Sequence, residues 1–218
     1  MQQQQYLKIF ERVCQRYAPS RILSFNIAHI FKTLQLIEFK GHVSRDTLCK
    51  ELKLGEGTVK TLIKHLKMNN LIKTSNSGTI MTLTGNRIFK KILENIPKEM
   101  ELSKCSVALG RYNYSILLKQ YRFAIESGID QRDYAIKFGA LGATTLIFNE
   151  FHKFIIPKTD FDALEQEDQI YQLIVNKLEP TSGDVVIIGS DNADIRIAEL
   201  AAKYAGLLTI MNHDKYLK

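Results

Sequence analysis

The stretch from residue 44 to residue 84 constrains the fold most, because its apolar spacing changes period from helix to strand and back. Ser44 is a natural N-cap, and Leu48 and Leu52 lie four apart on one helical face running to Lys53. Leu54-Gly55-Glu56 makes a turn. A second helix is expected over 56–69, with Val59, Leu62, Ile63 and Leu66 inward and Asn69-Asn70 at its exit. Two short strands, 71–74 and 79–83, then flank Ser75-Asn76-Ser77-Gly78, a hairpin signal with Gly at the turn. Thr84 is expected to cap a further helix, with Ile88, Phe89, Ile92 and Ile96 apolar and Pro97 as its stop. Upstream, Tyr6, Phe10, Val13, Cys14 and Tyr17 recur at helical spacing, behind a Gln run at 2–5 that reads as a disordered tip. Pro19 and Ser20 separate that helix from a long, largely buried one over 20–38, stopped near Gly41. Helix, helix, turn, helix, hairpin, helix is the order of a winged helix-turn-helix.

Charge agrees with that reading. Residues 1–100 hold 17 Lys and Arg against 7 Asp and Glu, a net +10, whereas residues 101–218 hold 13 against 16, a net −3. A basic half joined to a mildly acidic one points to a polyanionic partner for the first half alone. Cys14, Cys49 and Cys105 are scattered, so no structural zinc, no cofactor and a reducing compartment are expected. No signal peptide and no membrane-spanning run are read, and a cytoplasmic protein is expected.

Helical geometry sorts the side chains of the 56–69 helix. The face opposite its buried stripe carries Gly57, Thr61, Lys64 and Met68. Thr58 and His65 flank that face on one side, Lys60 and Lys67 on the other. Thr61 and Lys64, at its centre, are expected to read base edges in the major groove, with Thr58 as a further contact and His65 either a base contact or a simple surface histidine. Lys60 and Lys67 suit phosphates, as do Ser44 and Arg45 at the start of the preceding helix. Lys73 and Asn76 on the hairpin are expected to reach backbone or minor groove. The opposing reading is a solvated lysine face on a winged helix that binds protein; an acidic or apolar surface around Thr61 would favour it.

Residues 101–218 change texture. Strands are expected at 114–119, 143–149, 153–156 and 184–189, and helices at 130–138, 161–178 and 192–205. This order suggests an α/β domain with a mixed sheet, so that the whole chain is α+β, with the domain boundary between Pro97 and Cys105 (domains 1–100 and 101–218). The continuous apolar run 185–188 should be a central strand covered on both faces. It leads into Gly189-Ser190-Asp191-Asn192 and a helix, a place where free backbone N–H groups suit an anionic ligand. Against this, Asp191 and Asp194 repel a phosphate, and Ser190, Asp191 or Asn192 as a plain helix cap is the stronger reading. Asp130 is expected to cap the 130–138 helix and Gly139 to end it. Arg132 either holds a ligand carboxylate or phosphate or pairs with a neighbouring acid, and Thr144 and Thr145 are ligand residues only if they face a cleft. His152 and His213 lack nucleophile or metal-ligand spacing, and no catalytic set is evident, so an enzyme is not expected.

Pro19-Ser20-Arg21-Ile22-Leu23-Ser24-Phe25, Val43-Ser44-Arg45, Leu54-Gly55-Glu56-Gly57-Thr58-Val59-Lys60-Thr61-Leu62, Ala140-Leu141-Gly142-Ala143-Thr144-Thr145 and Gly183-Asp184-Val185-Val186-Ile187-Ile188-Gly189-Ser190 resemble an archaeal family of winged-helix proteins whose C-terminal domain has no assigned function. The resemblance runs from about Pro19 onward and implies an archaeal cytoplasmic transcription regulator. It supplies no ligand and no catalytic residue. The expected partner is double-stranded DNA, bound by a homodimer, with a small-molecule effector or an assembly role for the C-terminal half. The N-terminal helix, the 20–38 helix and the helix after the hairpin are the expected dimer surfaces. The rivals are an enzyme acting on a nucleotide-like molecule, favoured by a pocket joining Arg132, Thr145 and Ser190, and a protein-binding adaptor.

Overall fold

The computed structural model describes residues 2–15, 23–76 and 78–212. Tyr17, Pro19, Ser20, Arg21, Ile22, Ser77 and His213, used in the sequence reading, lie outside them. The chain divides into two compact units, Met1–Ile92 and Leu93–Lys218. The expected boundary at 100/101 instead falls within a strand of the second unit.

Unit 1 begins with α1 (Gln2–Val13). The Gln run is therefore helical rather than a loose tip, and the helix stops at Val13, short of Tyr17. Leu7, Phe10 and Val13 are its buried side. The long helix is shorter than expected: α2 spans Ile27–Lys40, N-capped by Asn26 and closed by Gly41 at φ 73°. A local hydrogen-bond pair explains the late start. The Asn26 side chain accepts from the Ala28 N–H at 3.0 Å, and the His29 ring accepts from the Asn26 N–H at 3.1 Å, a reciprocal cap that spacing of apolar residues does not reveal. Ten of its residues, from Ile27 to Ile37, are buried, so α2 is the central beam of this unit.

Burial pushes the His29 pKa down from 6.5 to about 4. The unfolded chain then binds more protons than the folded one between those values, so unit 1 should lose stability as pH falls from 6.5 toward 4. His29→Gln keeps an acceptor at the third helical position and should flatten this slope. Thermal unfolding of both proteins across that window checks the expectation; equal slopes would count against it.

α3 (Arg45–Leu52) is capped by Ser44, which accepts the Thr47 N–H at 3.1 Å, as read from sequence. Lys53 takes a left-handed conformation to turn the chain into α4 (Glu56–Met68), whose Val59, Leu62, Ile63 and Leu66 are buried. β1 (Ile72–Ser75) and β2 (Gly78–Met81) form the hairpin, antiparallel with Ile72 opposite Met81. Val43 adds a bridge to Thr79, exchanging backbone bonds of 2.9 Å in both directions, so the wing is tied to the start of α3. α5 (Leu83–Leu93) closes the unit. Its first-turn N–H, on Gly85, goes to the hydroxyl of Thr82 at 3.0 Å, so Thr82 and not Thr84 does the capping.

Unit 2 is built on one sheet: β3 (Glu99–Leu102), β4 (Tyr112–Leu118), β5 (Gly142–Phe148), β6 (Phe154–Ile155) and β7 (Val185–Asp191), in the order β3-β4-β7-β5-β6. Every pairing is antiparallel, which corrects the expected mixed sheet. The strand–helix–strand rhythm misled because β7 inserts between β4 and β5, the two strands a crossover would have paired in parallel. β7 is central and buried throughout, as its apolar run demands. β3 was missed, since four residues rich in Glu and Met carry almost no strand signal.

α6 (Ile129–Phe138) and α8 (Ile195–Met211) cover one sheet face; α7 (Asp168–Leu178) lies on the other, over Leu117, Leu146, Val186 and Ile188. α6 starts after Gly128 at φ 78° rather than at Asp130, and ends at Gly139 as expected. The expected 161–178 helix begins only at Asp168, because Asp162 is bridged to Ile155 and the Ala163 N–H is spent on Phe154. α8 is capped by Asp194, not by Ser190, Asp191 or Asn192. It carries a fully buried Lys203, whose ammonium contacts the Glu199 carboxylate and Glu99 at 3.0 Å and lies 5.5 Å from the Tyr114 ring centre. The Tyr114 hydroxyl donates to the same Glu99 at 2.7 Å. Burial and that carboxylate push the Tyr114 pKa above its usual range.

Candidate nucleic-acid interface

The exposed side of α4 carries Lys60, Lys64 and Lys67 with Thr58 and Thr61 half-buried between them. A groove of about 610 Å³ separates this helix from the wing. Ser44, Arg45 and Lys60 form one wall, and Thr74, Ser75 and Asn76 the other. The structure thus brings the start of α3, the middle of α4 and the tip of the hairpin to one surface. Thr74 and Ser75 were not singled out from sequence; outward polar residues on a short edge strand were the available signal.

Electrostatics follow from who is paired. Lys50 is held by Asp46 at 2.8 Å, one helical turn away. Arg45, Lys60, Lys64 and Lys73 have no such partner among the described residues, and all four are exposed. Unneutralised Arg45, Lys60 and Lys64 beside the groove, with only Glu56 in the first turn of α4, make a surface suited to a polyanion, whereas Lys73 lies on the other side of the hairpin.

Individual side chains are more constrained than spacing suggested. The Thr61 hydroxyl donates to the Gly57 carbonyl at 2.9 Å. Its hydrogen is committed to the helix, leaving an acceptor oxygen and a methyl to face a base. The Lys67 ammonium donates to the Thr74 hydroxyl at 3.1 Å, so this lysine also braces the wing against α4. Lys64 keeps all its donors outward.

His65 is a correction. It is only 5% exposed, its Nδ1 donates to the Val13 carbonyl at 2.7 Å, and Phe25 packs edge-on against it at 5.5 Å between centroids. It cannot reach a base; it fastens the end of α1 to the back of α4. The packing of α1 on that side is a tertiary fact invisible in the helix alone.

The proposed ligand residues of unit 2 do not converge. Gly189 faces α8, where an added Cβ would lie 2.4 Å from the Ala198 carbonyl oxygen, so its role is close helix packing. Ser190, fully buried, donates to Asn113 at 2.7 Å and accepts the Leu109 N–H at 3.2 Å. Asp191 accepts the N–H groups of Ala193 and Asp194, and Asn192 that of Arg111. The segment therefore satisfies itself, which overturns an anion site there. Arg132 pairs with Asp133 at 2.9 Å on the surface, the plainer of its two readings. Thr145 is buried under Gly128 on the α6 side, with its hydroxyl unpartnered among the described residues, while Ser190 pairs with Gly142 on the opposite face. A pocket joining Arg132, Thr145 and Ser190 is thus excluded by the pleat. Thr144 faces a groove on the α7 side and forms part of its floor.

Residues 27–96 match the family model described as CggR N-terminal DNA binding domain. Residues 109–210 match one described as Domain of unknown function (DUF4443). An N-terminal DNA-binding domain is thereby joined to a C-terminal domain without an assigned function. Among solved structures, the chain is similar to "Hypothetical protein PH0730 from Pyrococcus horikoshii OT3", with TM-score 0.68 and 23% identity over 85% of this chain and 93% of that one, a likeness of fold. No curated protein matches the sequence. Among the described residues no helix is long and apolar enough to cross a membrane.

Proposed function

We propose that the protein is a one-component transcription regulator that acts inside the cell, with α4 in the major groove of duplex DNA and unit 2 as its sensing and assembly module rather than an enzyme. The observation that carries the reading is the set of unpaired cations on the α4 side of the wing: Arg45 and Lys60 line the groove between α4 and the hairpin, and Lys64 is exposed one turn further along α4. Lys60 and Arg45 hold phosphates, Thr61 and Lys64 read bases, and Lys73 and Asn76 meet the backbone beside the wing. Fluorescence anisotropy of the full chain on a labelled duplex tests it. Affinity should fall linearly with log salt, with a slope near −0.9 per phosphate contacted, about −3 or steeper. Binding indifferent to salt would end the proposal.

Two copies belong to the reading, because one recognition helix contacts few base pairs. α2 is committed to its own interior, which weakens it as a dimer surface. α6 is better suited. Ile129 and Ile136 are each half exposed, two turns apart on the stripe opposite buried Gln131 and Ala135. Exposed Arg132 and Asp133 flank that stripe on opposite sides, so parallel pairing sets each Arg132 beside the second copy's Asp133. Sedimentation velocity should show a dimer that Ile129→Asp with Ile136→Asp converts to a monomer of unchanged thermal stability. A monomeric wild-type chain would refute this surface.

A further inference from the structure

The second face of the unit 2 sheet has one helix for cover, and α7 is only 11 residues long. Beyond its N-terminal end a groove of about 540 Å³ stays open over β5. That volume is in the range of small-molecule sites, about 300–1,000 Å³. Its apolar surface comes from Val107, Leu109, Ile156, Phe161 and Ala163. Leu109 and Phe161 are 54% and 61% exposed, a cost in water that a bound apolar group removes.

Both walls are pre-formed. The Leu109 wall is clamped by the buried pair of Asn113 and Ser190: Ser190 accepts the Leu109 N–H, and Asn113 accepts that of Gly110 at 3.2 Å and donates back to its carbonyl at 3.0 Å. Gly110 sits so close to β7 that a Cβ would lie 2.6 Å from the Asp191 carbonyl oxygen. The opposite wall, residues 161–167, is tied to the strands through Ala163 to Phe154 at 2.8 Å and across the groove by Glu167 accepting the Ser106 N–H at 2.7 Å. Ser190, which sequence pointed to as a ligand contact, thus builds the wall instead of touching the guest, while Thr144 lies on the floor.

Charge selects the guest. Asp162, Glu165 and Glu167 line the groove, and no Lys or Arg does among the described residues. Asp162 is reached by Lys153 at 3.7 Å, and Glu167 holds Ser106. The Glu165 carboxylate is exposed and has no hydrogen-bond or ionic partner among the described residues. On the floor, the half-exposed Thr144 hydroxyl is likewise unpartnered among them. An anion would be repelled here, whereas an ammonium group gains a carboxylate at the rim while its apolar body lies on Leu109 and Phe161.

We propose that this groove binds a small organic cation, an amine carrying an apolar body, with Glu165 taking the ammonium and Thr144 a polar atom of the guest. The inference rests on the reading of unit 2 as a sensor. The probe is 2-phenylethylamine, titrated into the full-length protein and followed by amide chemical shifts, with phenylacetate as its acidic counterpart. Saturable shifts should cluster at Leu109, Thr144, Phe161 and Glu165 with the amine and be absent with phenylacetate. Glu165→Gln, at an exposed position, should weaken the amine about threefold, as expected for one exposed ion pair. Scattered or non-saturating shifts, or equal binding of the two probes, would overturn the proposal. Duplex affinity measured on the same samples separates the two readings. Absent amine binding with intact DNA binding removes the groove and leaves the regulator; amine binding with unchanged DNA affinity keeps the groove and removes its regulatory link.

Discussion

Replacing Lys60, Lys64 and Lys67 together by alanine should lower duplex affinity about 100-fold, since one base-reading contact and two backbone contacts are worth roughly 3 kcal/mol together. The salt slope should shrink by about 2, near one for each phosphate contact removed. The three losses differ in kind. Lys60 stands on the groove wall and should weaken all sequences alike. Lys64 projects from the middle of the exposed face, so its removal should blunt sequence preference. Lys67 is bonded to Thr74 on β1, so Lys67→Ala should also loosen the wing, which raised amide exchange at Ile72–Ser75 would reveal. Thr61 completes the set. Because its hydroxyl hydrogen is spent on Gly57, Thr61→Val should keep any methyl contact with thymine while Thr61→Ser loses it. All three lysines are exposed, so the triple variant should melt with the wild type. Equal affinity of triple variant and wild type for duplex DNA would refute the assignment of α4.

Lys203→Met should cost unit 2 about 3–5 kcal/mol, the penalty for leaving buried charge without its partner. Lys203 is wholly buried between Glu99 and Glu199, and both carboxylates lose their cation at once. The Tyr114 hydroxyl remains on Glu99, but one neutral donor cannot replace an ammonium. Glu99 lies on the edge strand β3, held to the sheet by four residue pairs, so β3 should be the element that loosens first. Adding Glu199→Gln and Glu99→Gln to Lys203→Met should restore most of the loss, because an emptied polar site costs far less than a half-emptied ionic one. Urea unfolding of the full chain measures both steps. A loss below about 1 kcal/mol for Lys203→Met would mean that water or rearrangement neutralises the carboxylates.

Sequence alone determined what depends on neighbours along the chain. The cap at Ser44, the inward stripe of α4, the hairpin and the four-residue apolar run of β7 are local signals, and they specify the winged helix and the central strand. Charge division placed the polyanion surface in the first half, since net charge is a sum that no fold alters.

Only tertiary structure decided what depends on distant partners. His65 lies on α4 at the flank of the reading face, yet the carbonyl of Val13, 52 residues away, makes it a fastening. Ser190 and Asn192 sit at an inviting strand-to-helix loop, yet residues 109–113 consume their hydrogen-bonding groups. β3 has no pattern of its own and is a strand because β4 offers it an edge. Thr144 and Thr145 are adjacent and alike in sequence; the pleat sends one to an open groove and the other under Gly128. Periodicity tells which side of an element is apolar, but not what lies against it, and the chemistry of a site is set by what lies against it.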